Sequence, residues 1–383
     1  MLFSKNANYP GEVSYMKKDR NREEMEYTGS EKAENPRLER EEKLRRAKNH
    51  RVMTVLDRIF GFMLATVLVI GVAGLGLVYV LERGPSPSLT NLFVRTMEET
   101  RRFDFMANIF LTEDEVSQIR MKQEAAPLKE FDSSLITIAS ADSSGDSSSN
   151  TSYPEDEDGD GIIFEEISQS GYTGYLITVL DPKRIILGVP DSYGGTGLTL
   201  EEMVQKYDAL GGINAGGFQD DGGSGLGGVP EGLTLVDGKS VGKSSSESIF
   251  VGFDEAGVMY VGYYDDWSAN RDGIKNGVSF GPILIMNGEA VNPDSLPSGV
   301  NPRTAIGQRS DGAVLMLVID GRQVHSMGAT YADCLNIMLD HGAVNAINMD
   351  GGSSTSMYYN GAYVNRNSSK YGARPLPSAF LFK

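Results

Sequence analysis

The chain has 383 residues, more than one average domain needs and too few for three, and a net charge of −17. The charge is uneven: residues 1–58 carry 14 Lys and Arg against 11 Asp and Glu, a net of +3, and the remainder nets −20. An acidic main body lacks the basic footprint that nucleic-acid phosphates require, which excludes nucleic acid as a partner. The single cysteine, Cys334, cannot close an internal disulfide, and with only His50, His325 and His341 available no Cys/His group has zinc spacing.

Residues 1–58 read as a polar cytoplasmic tail, disordered or loosely helical, with acids and bases intermixed from Glu39 to Arg46. Residues 59–81 are uncharged and mostly apolar, and 23 residues at about 1.5 Å rise cross a hydrocarbon core of about 30 Å. Six bases precede this span, from Lys43 to Arg58, whereas Arg83 beyond it is offset by Glu82. The positive-inside rule then predicts a single-pass protein of the cell membrane, N-terminus cytoplasmic and C-terminal mass extracellular. The long polar stretch ahead of the span favours an uncleaved anchor over a signal peptide.

Residues 82–131 open with Pro85 and Pro87 and then show helical spacing in Leu89, Leu92, Phe93 and Met97, a helical stalk that is a candidate for self-association. Thr112 and Glu115 have capping-box spacing. Residues 132–160, rich in Ser and Asp, read as a flexible linker. At its end Asp156, Asp158, Asp160 and Gly161 fit positions 1, 3, 5 and 6 of an EF-hand loop, a candidate for structural calcium. Position 12 is Ile167 where the motif needs a glutamate.

From Gly161 to the C-terminus the texture changes to short β-rich segments with glycine turns. Strands are predicted over 174–180, 184–189, 314–320, 343–349 and 379–382, and helices over 200–210 behind a Thr199/Glu202 capping box and over 329–341 with Cys334, Leu335, Met338 and Leu339 inward. Strands and helices mix without regular βαβ alternation, which predicts an α+β domain of mixed sheets with flanking helices.

Four clusters in this domain could carry chemistry: Asn214 with Gly216 and Gly217, Asn301-Pro302-Arg303, Asp320-Gly321-Arg322 with His325, and Asp350-Gly351-Gly352-Ser353-Ser354-Thr355. The last is the most telling, an acid at the end of an apolar strand beside glycines that admit close approach and hydroxyls that donate and accept. Read alone, each is also ordinary turn chemistry.

Together, in order and spacing over about residues 161–383, the segments G-I-N-A-G-G-F (212–218), N-P-R-T-A-I-G (301–307), D-G-R (320–322) with S-x-G-x-T (326–330), and A-x-N-x-D-G-G-x-S-x-x-M (346–357) resemble the phosphodiester glycosidase family. This family includes N-acetylglucosamine-1-phosphodiester alpha-N-acetylglucosaminidase, and the anchor ahead of the domain is similar to that of its membrane-bound bacterial members. Ser353 stands where many members carry a third glycine. The resemblance implies hydrolysis of the C1–O bond of a sugar-1-phosphodiester, with a sugar-phosphate or envelope polysaccharide such as exopolysaccharide as substrate. It implies Asp350 as base or nucleophile and Arg303, helped by Arg374, on the phosphate. Asp320 and His325 would be second acid/base or orienting groups. Asn214, Gly216, Gly217, Gly351, Gly352, Ser353, Ser354 and Thr355 would contact substrate. Two other readings stay open: a serine hydrolase using Ser353 or Ser354 with His325 or His341, which lacks a G-x-S-x-G elbow, and a non-catalytic envelope protein that binds polysaccharide or assists its assembly.

Overall fold

The structure is a computed structural model. It describes residues 36–100, 103–121, 130–138, 154, 156–219, 225–241, 247–296 and 298–383. The tail reading for 1–35 and most of the linker reading, 139–153, lie outside the described residues. The chain forms two units, one to Ala73 and one from Gly74.

Helix α1 (Pro36–Arg83) runs for 48 residues. Among the described residues it is the one helix long and apolar enough to cross a membrane by length and composition. Residues 36–58, part of the segment read as a disordered or loosely helical tail, are helical. They are rich in Glu, Arg and Lys, all good helix formers, and Glu42 and Arg46 pair one turn apart at 2.7 Å.

Helices α2 (Pro87–Glu99) and α3 (Glu113–Met121) follow. Ser86 accepts a hydrogen bond from the Leu89 N–H at the start of α2, and Pro87 fills the first helical position, where no N–H is needed. Thr112 and Glu115 exchange side-chain and backbone bonds at the start of α3. Val94, Ala107, Leu111 and Val116 make a small core between these turns. The segment does not stand away as a stalk. The Val300 N–H donates to the Thr96 hydroxyl at 3.0 Å, and Glu99 engages residues 299–303. Residues 130–138 also dock, through Asp132 N–H to Asn287 and Thr137 N–H to the Ser310 carbonyl.

The remaining elements are β1 (Ile162–Gln169), β2 (Tyr172–Val179), β3 (Ile185–Gly188), α4 (Leu200–Tyr207), β4 (Gly211–Asn214), β5 (Thr234–Val236), β6 (Lys239–Val241), β7 (Ser248–Phe253) and β8 (Met259–Tyr264). Then come α5 (Asp266–Arg271), β9 (Asn276–Ser279), β10 (Ile283–Met286), β11 (Glu289–Ala290), β12 (Arg303–Arg309) and β13 (Val314–Ile319). The chain closes with α6 (Tyr331–Asp340), β14 (Ala343–Met349), β15 (Met357–Tyr359), β16 (Ala362–Tyr363) and β17 (Ala379–Phe382).

These strands build an α+β fold of three sheets, ordered β1-β2-β13-β12-β14-β10-β11, β16-β15-β4-β17-β3 and β6-β5-β9-β7-β8. Mixed sheets were expected; every pairing among these strands is antiparallel, because short hairpin turns join so many of them. Strand β13 shows why its run has no polar alternation. Val314, Met316 and Val318 face the core shared by the sheets, while Leu315, Leu317 and Ile319 face the core under α6. Helix α6 starts at a Thr330/Asp333 capping box and buries Cys334, Leu335, Ile337 and Met338, leaving Leu339 half-exposed. Burial pushes the Cys334 thiol up to about 12, which suits an inert core residue.

Aspartates 156, 158 and 160 place carboxylate oxygens within 4.8 Å of one another. β1 begins two residues later, so Ile167, at the position of the missing glutamate, is a strand residue paired with Gly174.

Candidate active site

Strand register assembles the site. β12 and β14 run antiparallel with Thr304 opposite Met349 and Ala305 opposite Asn348. Arg303 and Asp350 each lie one residue further out along these strands, so two residues 47 positions apart come to the same end of the central strands. Asn214 secures this end. Its amide donates to the Asp350 carbonyl at 2.6 Å, and its side-chain oxygen accepts from the Thr304 hydroxyl at 2.8 Å and the Ser356 N–H at 3.0 Å.

Arg303 is only 4 % exposed. Its guanidinium lies 4.1 Å over the Tyr331 ring and donates to the carbonyls of Ala329 and Gly299 and, at 2.8 Å, to Glu99. The Glu99 carboxylate also accepts from Asn301 Nδ2 at 2.7 Å and the Gly299 N–H at 2.9 Å. An anion is thus held by one guanidinium, one amide and one backbone N–H. Gly328 lets this loop close: its φ is +119°, and a Cβ there would lie 2.5 Å from the Asn301 carbonyl carbon. Gly328→Ala is expected to destabilise the protein by about 1–3 kcal/mol, read from its denaturation midpoint, through strain at a position only glycine fits.

Beyond Asp350, Gly351 and Gly352 turn the chain against Pro302, whose carbonyl accepts from the Gly352 N–H at 2.9 Å. Gly352 has a φ of +62°, and a Cβ there would sit 3.3 Å from the Arg322 guanidinium. Arg322 itself adopts a left-handed φ of +58°, a strained state for a long side chain. Its guanidinium donates to Asn301 Oδ1 at 2.9 Å, and burial, then the neighbouring charge of Arg303, pulls its pKa below the usual value. Arg374 donates to the Ser353 hydroxyl at 2.9 Å and lies 4.8 Å over the Phe218 ring.

These groups line one cavity of about 370 Å³. Of the residues picked from sequence, Arg303, Asp350, Gly217, Gly351, Gly352, Ser353, Ser354 and Arg374 are in its wall. Asn214, Gly216 and Thr355 are not. Asn214 and Thr355 are buried behind the loop, and the Gly216 N–H is bonded to Ser378. Asp320 and His325 also stand outside the wall. Asp320 is 1 % exposed and accepts from Asn365 Nδ2 and the Arg366 N–H, tying down the last loop, with His325 3.9 Å away on the surface. Neither His325 nor His341 reaches the serines of the cavity; His341 ends α6 and lies 3.6 Å from Glu165. The serine-hydrolase reading therefore lacks the histidine base it needs. The cavity also holds Glu99, Glu231, Arg322 and Asn348. Arg322 was visible as the last letter of D-G-R; Glu231 and Glu99 carry no motif.

Burial raises the Asp320 carboxyl above its ordinary value, against the hydrogen bonds from Asn365 and Arg366 that lower it. The folded state then binds the proton more tightly than the unfolded one. This group's contribution is full at low pH and is lost as pH rises from the ordinary carboxylate range through the raised folded value. Asp320→Asn is expected to flatten that part of the pH dependence of the melting temperature, measured between pH 3 and 7, without altering the cavity.

Residues 207–383 match the family model described as phosphodiester glycosidase. They form a phosphodiester glycosidase domain. An uncharacterized protein derived from the SPbeta prophage of Bacillus subtilis strain 168 is 30 % identical over 177 residues, 44 % of this chain and 27 % of that protein. The chain thus spans about a quarter of that relative's length. Among solved structures, the catalytic domain of zebrafish N-acetylglucosamine-1-phosphodiester alpha-N-acetylglucosaminidase, described as auto-inhibited by its pro-peptide, is 23 % identical with a TM-score of 0.48. The match covers 58 % of this chain and 81 % of that one. A hypothetical protein from Synechocystis is 16 % identical with a TM-score of 0.47, the match covering 58 % of this chain and 62 % of that one. The fold of the glycosidase domain extends beyond the matched segment, since β2 pairs with β13 and β3 with β17.

Proposed function

We propose that the glycosidase domain hydrolyses a sugar-1-phosphodiester, breaking the bond between C1 and the phosphate oxygen. The observation that carries this reading is the Glu99 carboxylate, an anion bound by Arg303, Asn301 and the Gly299 N–H in the same cavity as Asp350. A substrate phosphate has the charge and acceptor oxygens to take that place. Arg303, Arg322 and Arg374 face Glu99, Glu231 and Asp350 across the cavity, and among the described residues Glu99 is the one carboxylate bonded to Arg303 or Arg322, so its withdrawal opens these guanidinium groups to a phosphate.

In the reaction, water adds its oxygen to C1 and the C1–O bond breaks. The electron pair leaves with the phosphate as a monoester. With Asp350 as base, the water proton passes to it directly; with Asp350 as nucleophile, it displaces the phosphate and holds C1 as an ester, and water then displaces the Asp350 carboxylate while giving its proton to Glu231. A phosphate oxygen is a good leaving group, so cationic stabilisation carries more of the barrier than an acid does. Glu231, which lines the cavity together with Asp350 and Glu99, would assist the proton transfers. Because Glu99 lies in α2, the membrane-proximal helix plugs its own domain, and turnover requires that carboxylate to yield to substrate. The charge asymmetry around 59–81 supports a single-pass membrane protein presenting this domain outside the cell to an envelope glycan.

The test is incubation of the purified full chain with UDP-N-acetylglucosamine and with a synthetic sugar-1-phosphate diester, assayed for reducing sugar and for the phosphomonoester. Release of both in equal amounts supports the hydrolase. Binding to purified envelope polymer with no release would instead make the protein a non-catalytic polysaccharide binder.

A further inference from the structure

A second cleft of about 850 Å³ shares no lining residue with the arginine cavity. It lies along β8 and α5, closed on one side by residues 130–133. Its wall is aromatic, with Phe131, Tyr260, Tyr263 and Trp267. Trp267 is the only tryptophan of the chain, and it is 69 % exposed. A side chain with so much apolar area normally goes to a core or an interface.

Trp267 is also held in place. α5 begins at a reciprocal capping box between Asp265 and Ser268, and Arg271 lies 5.2 Å over the indole while paired with Asp272 at 2.7 Å. Phe131 packs on Tyr260 with ring centroids 4.6 Å apart, so the segment that follows α3 completes the wall. Rigid aromatic faces cost little entropy on binding.

The polar groups decide what such faces would take. Four carboxylates, Glu130, Glu247, Asp265 and Asp272, line the cleft against one guanidinium, Arg271. That balance repels phosphate-bearing chains. A free cation finds the indole already occupied on one side by Arg271 and two of the carboxylates committed, Asp265 to Ser268 and Asp272 to Arg271. A neutral sugar ring meets both features: its C–H face stacks on an aromatic ring, and its hydroxyls donate to carboxylate oxygens. The volume falls in the range of about 300–1,000 Å³ usual for small-ligand sites.

We infer that this cleft is a binding site for a neutral oligosaccharide segment, distinct from the arginine cavity. It would hold uncharged sugars of a glycan, and it does so whether or not the domain hydrolyses anything. Trp267, the sole tryptophan, makes the site its own reporter.

The experiment titrates the full chain, kept in a polyoxyethylene detergent that has neither sugar nor choline headgroups, with chitotetraose, cellotetraose and maltotetraose, and follows tryptophan emission. At least one tetrasaccharide is expected to give a saturable change. Tyr263→Ala should weaken that binding at least tenfold, and exposed Glu247→Ala at least threefold with an unchanged circular dichroism spectrum. Asp350→Asn should leave it intact, which separates this site from the proposed catalytic one. No saturable change with any of the three sugars, or a response to choline alone, would overturn the inference.

Discussion

Replacing Asp350 by asparagine is expected to lower hydrolysis of a sugar-1-phosphodiester by about 10²–10⁴-fold, the range for loss of a positioned proton acceptor, and more if Asp350 is the nucleophile. The substitution keeps the shape of the side chain. The backbone at this position is held independently, through the Asp350 N–H to the Ala215 carbonyl and the Asn214 amide to the Asp350 carbonyl. The fold should therefore be retained. The check is a turnover assay alongside thermal denaturation. A variant that unfolds early says nothing of chemistry, but one that melts like the parent and turns over at the parental rate removes Asp350 from the mechanism.

Glu99→Ala is expected to have two opposite effects. It leaves Arg303 buried without its carboxylate, and the partner that is lost was 28 % exposed at its side chain. The cost should be about 2–3 kcal/mol, below the range for a fully buried pair because solvent already screens one side. The same change empties the anion seat, so kcat/KM for the phosphodiester should rise by about tenfold, the penalty an internal competitor of roughly 1.4 kcal/mol imposes. Inorganic phosphate separates the effects. At about 100 times its Kd, a ligand adds about 2.7 kcal/mol, so phosphate should raise the melting temperature of the variant by several degrees and the parent by much less. Glu99→Gln, which keeps the shape and an acceptor, should stabilise better than alanine and still release part of the inhibition. Equal phosphate shifts in parent and variant would show that Glu99 does not occupy the phosphate position.

Much of the domain was legible from residue patterns, for identifiable reasons. The Thr199/Glu202 box starts α4 because both its partners are local, and the run 314–320 becomes β13 because both its faces are buried. The helix expected to reach Leu210 stops at Tyr207, since Asp208 takes a left-handed turn with φ 51° that no local motif announces. The Asp350 loop drew notice because a strand, an acid and two glycines are adjacent in the chain. Asp320 and His325 drew notice for the same reason and line no part of the cavity. An Asp-Gly corner has the same letters whether its carboxylate faces a ligand or, as here, the N–H of Arg366.

What the chain determined by itself was whatever depends on near neighbours: the apolar span, the caps, the turns, and the residue types able to bind a phosphate. Which of those residues meet was decided only in three dimensions. The β12–β14 register brings Arg303 and Asp350 to one end of the sheet, the left-handed backbone at Arg322 turns its guanidinium toward Gly352, and α2 delivers Glu99 across 204 residues of sequence to Arg303. Hydrogen-bond register and packing act between segments whose separation along the chain leaves no periodic trace, so no local pattern could have carried them.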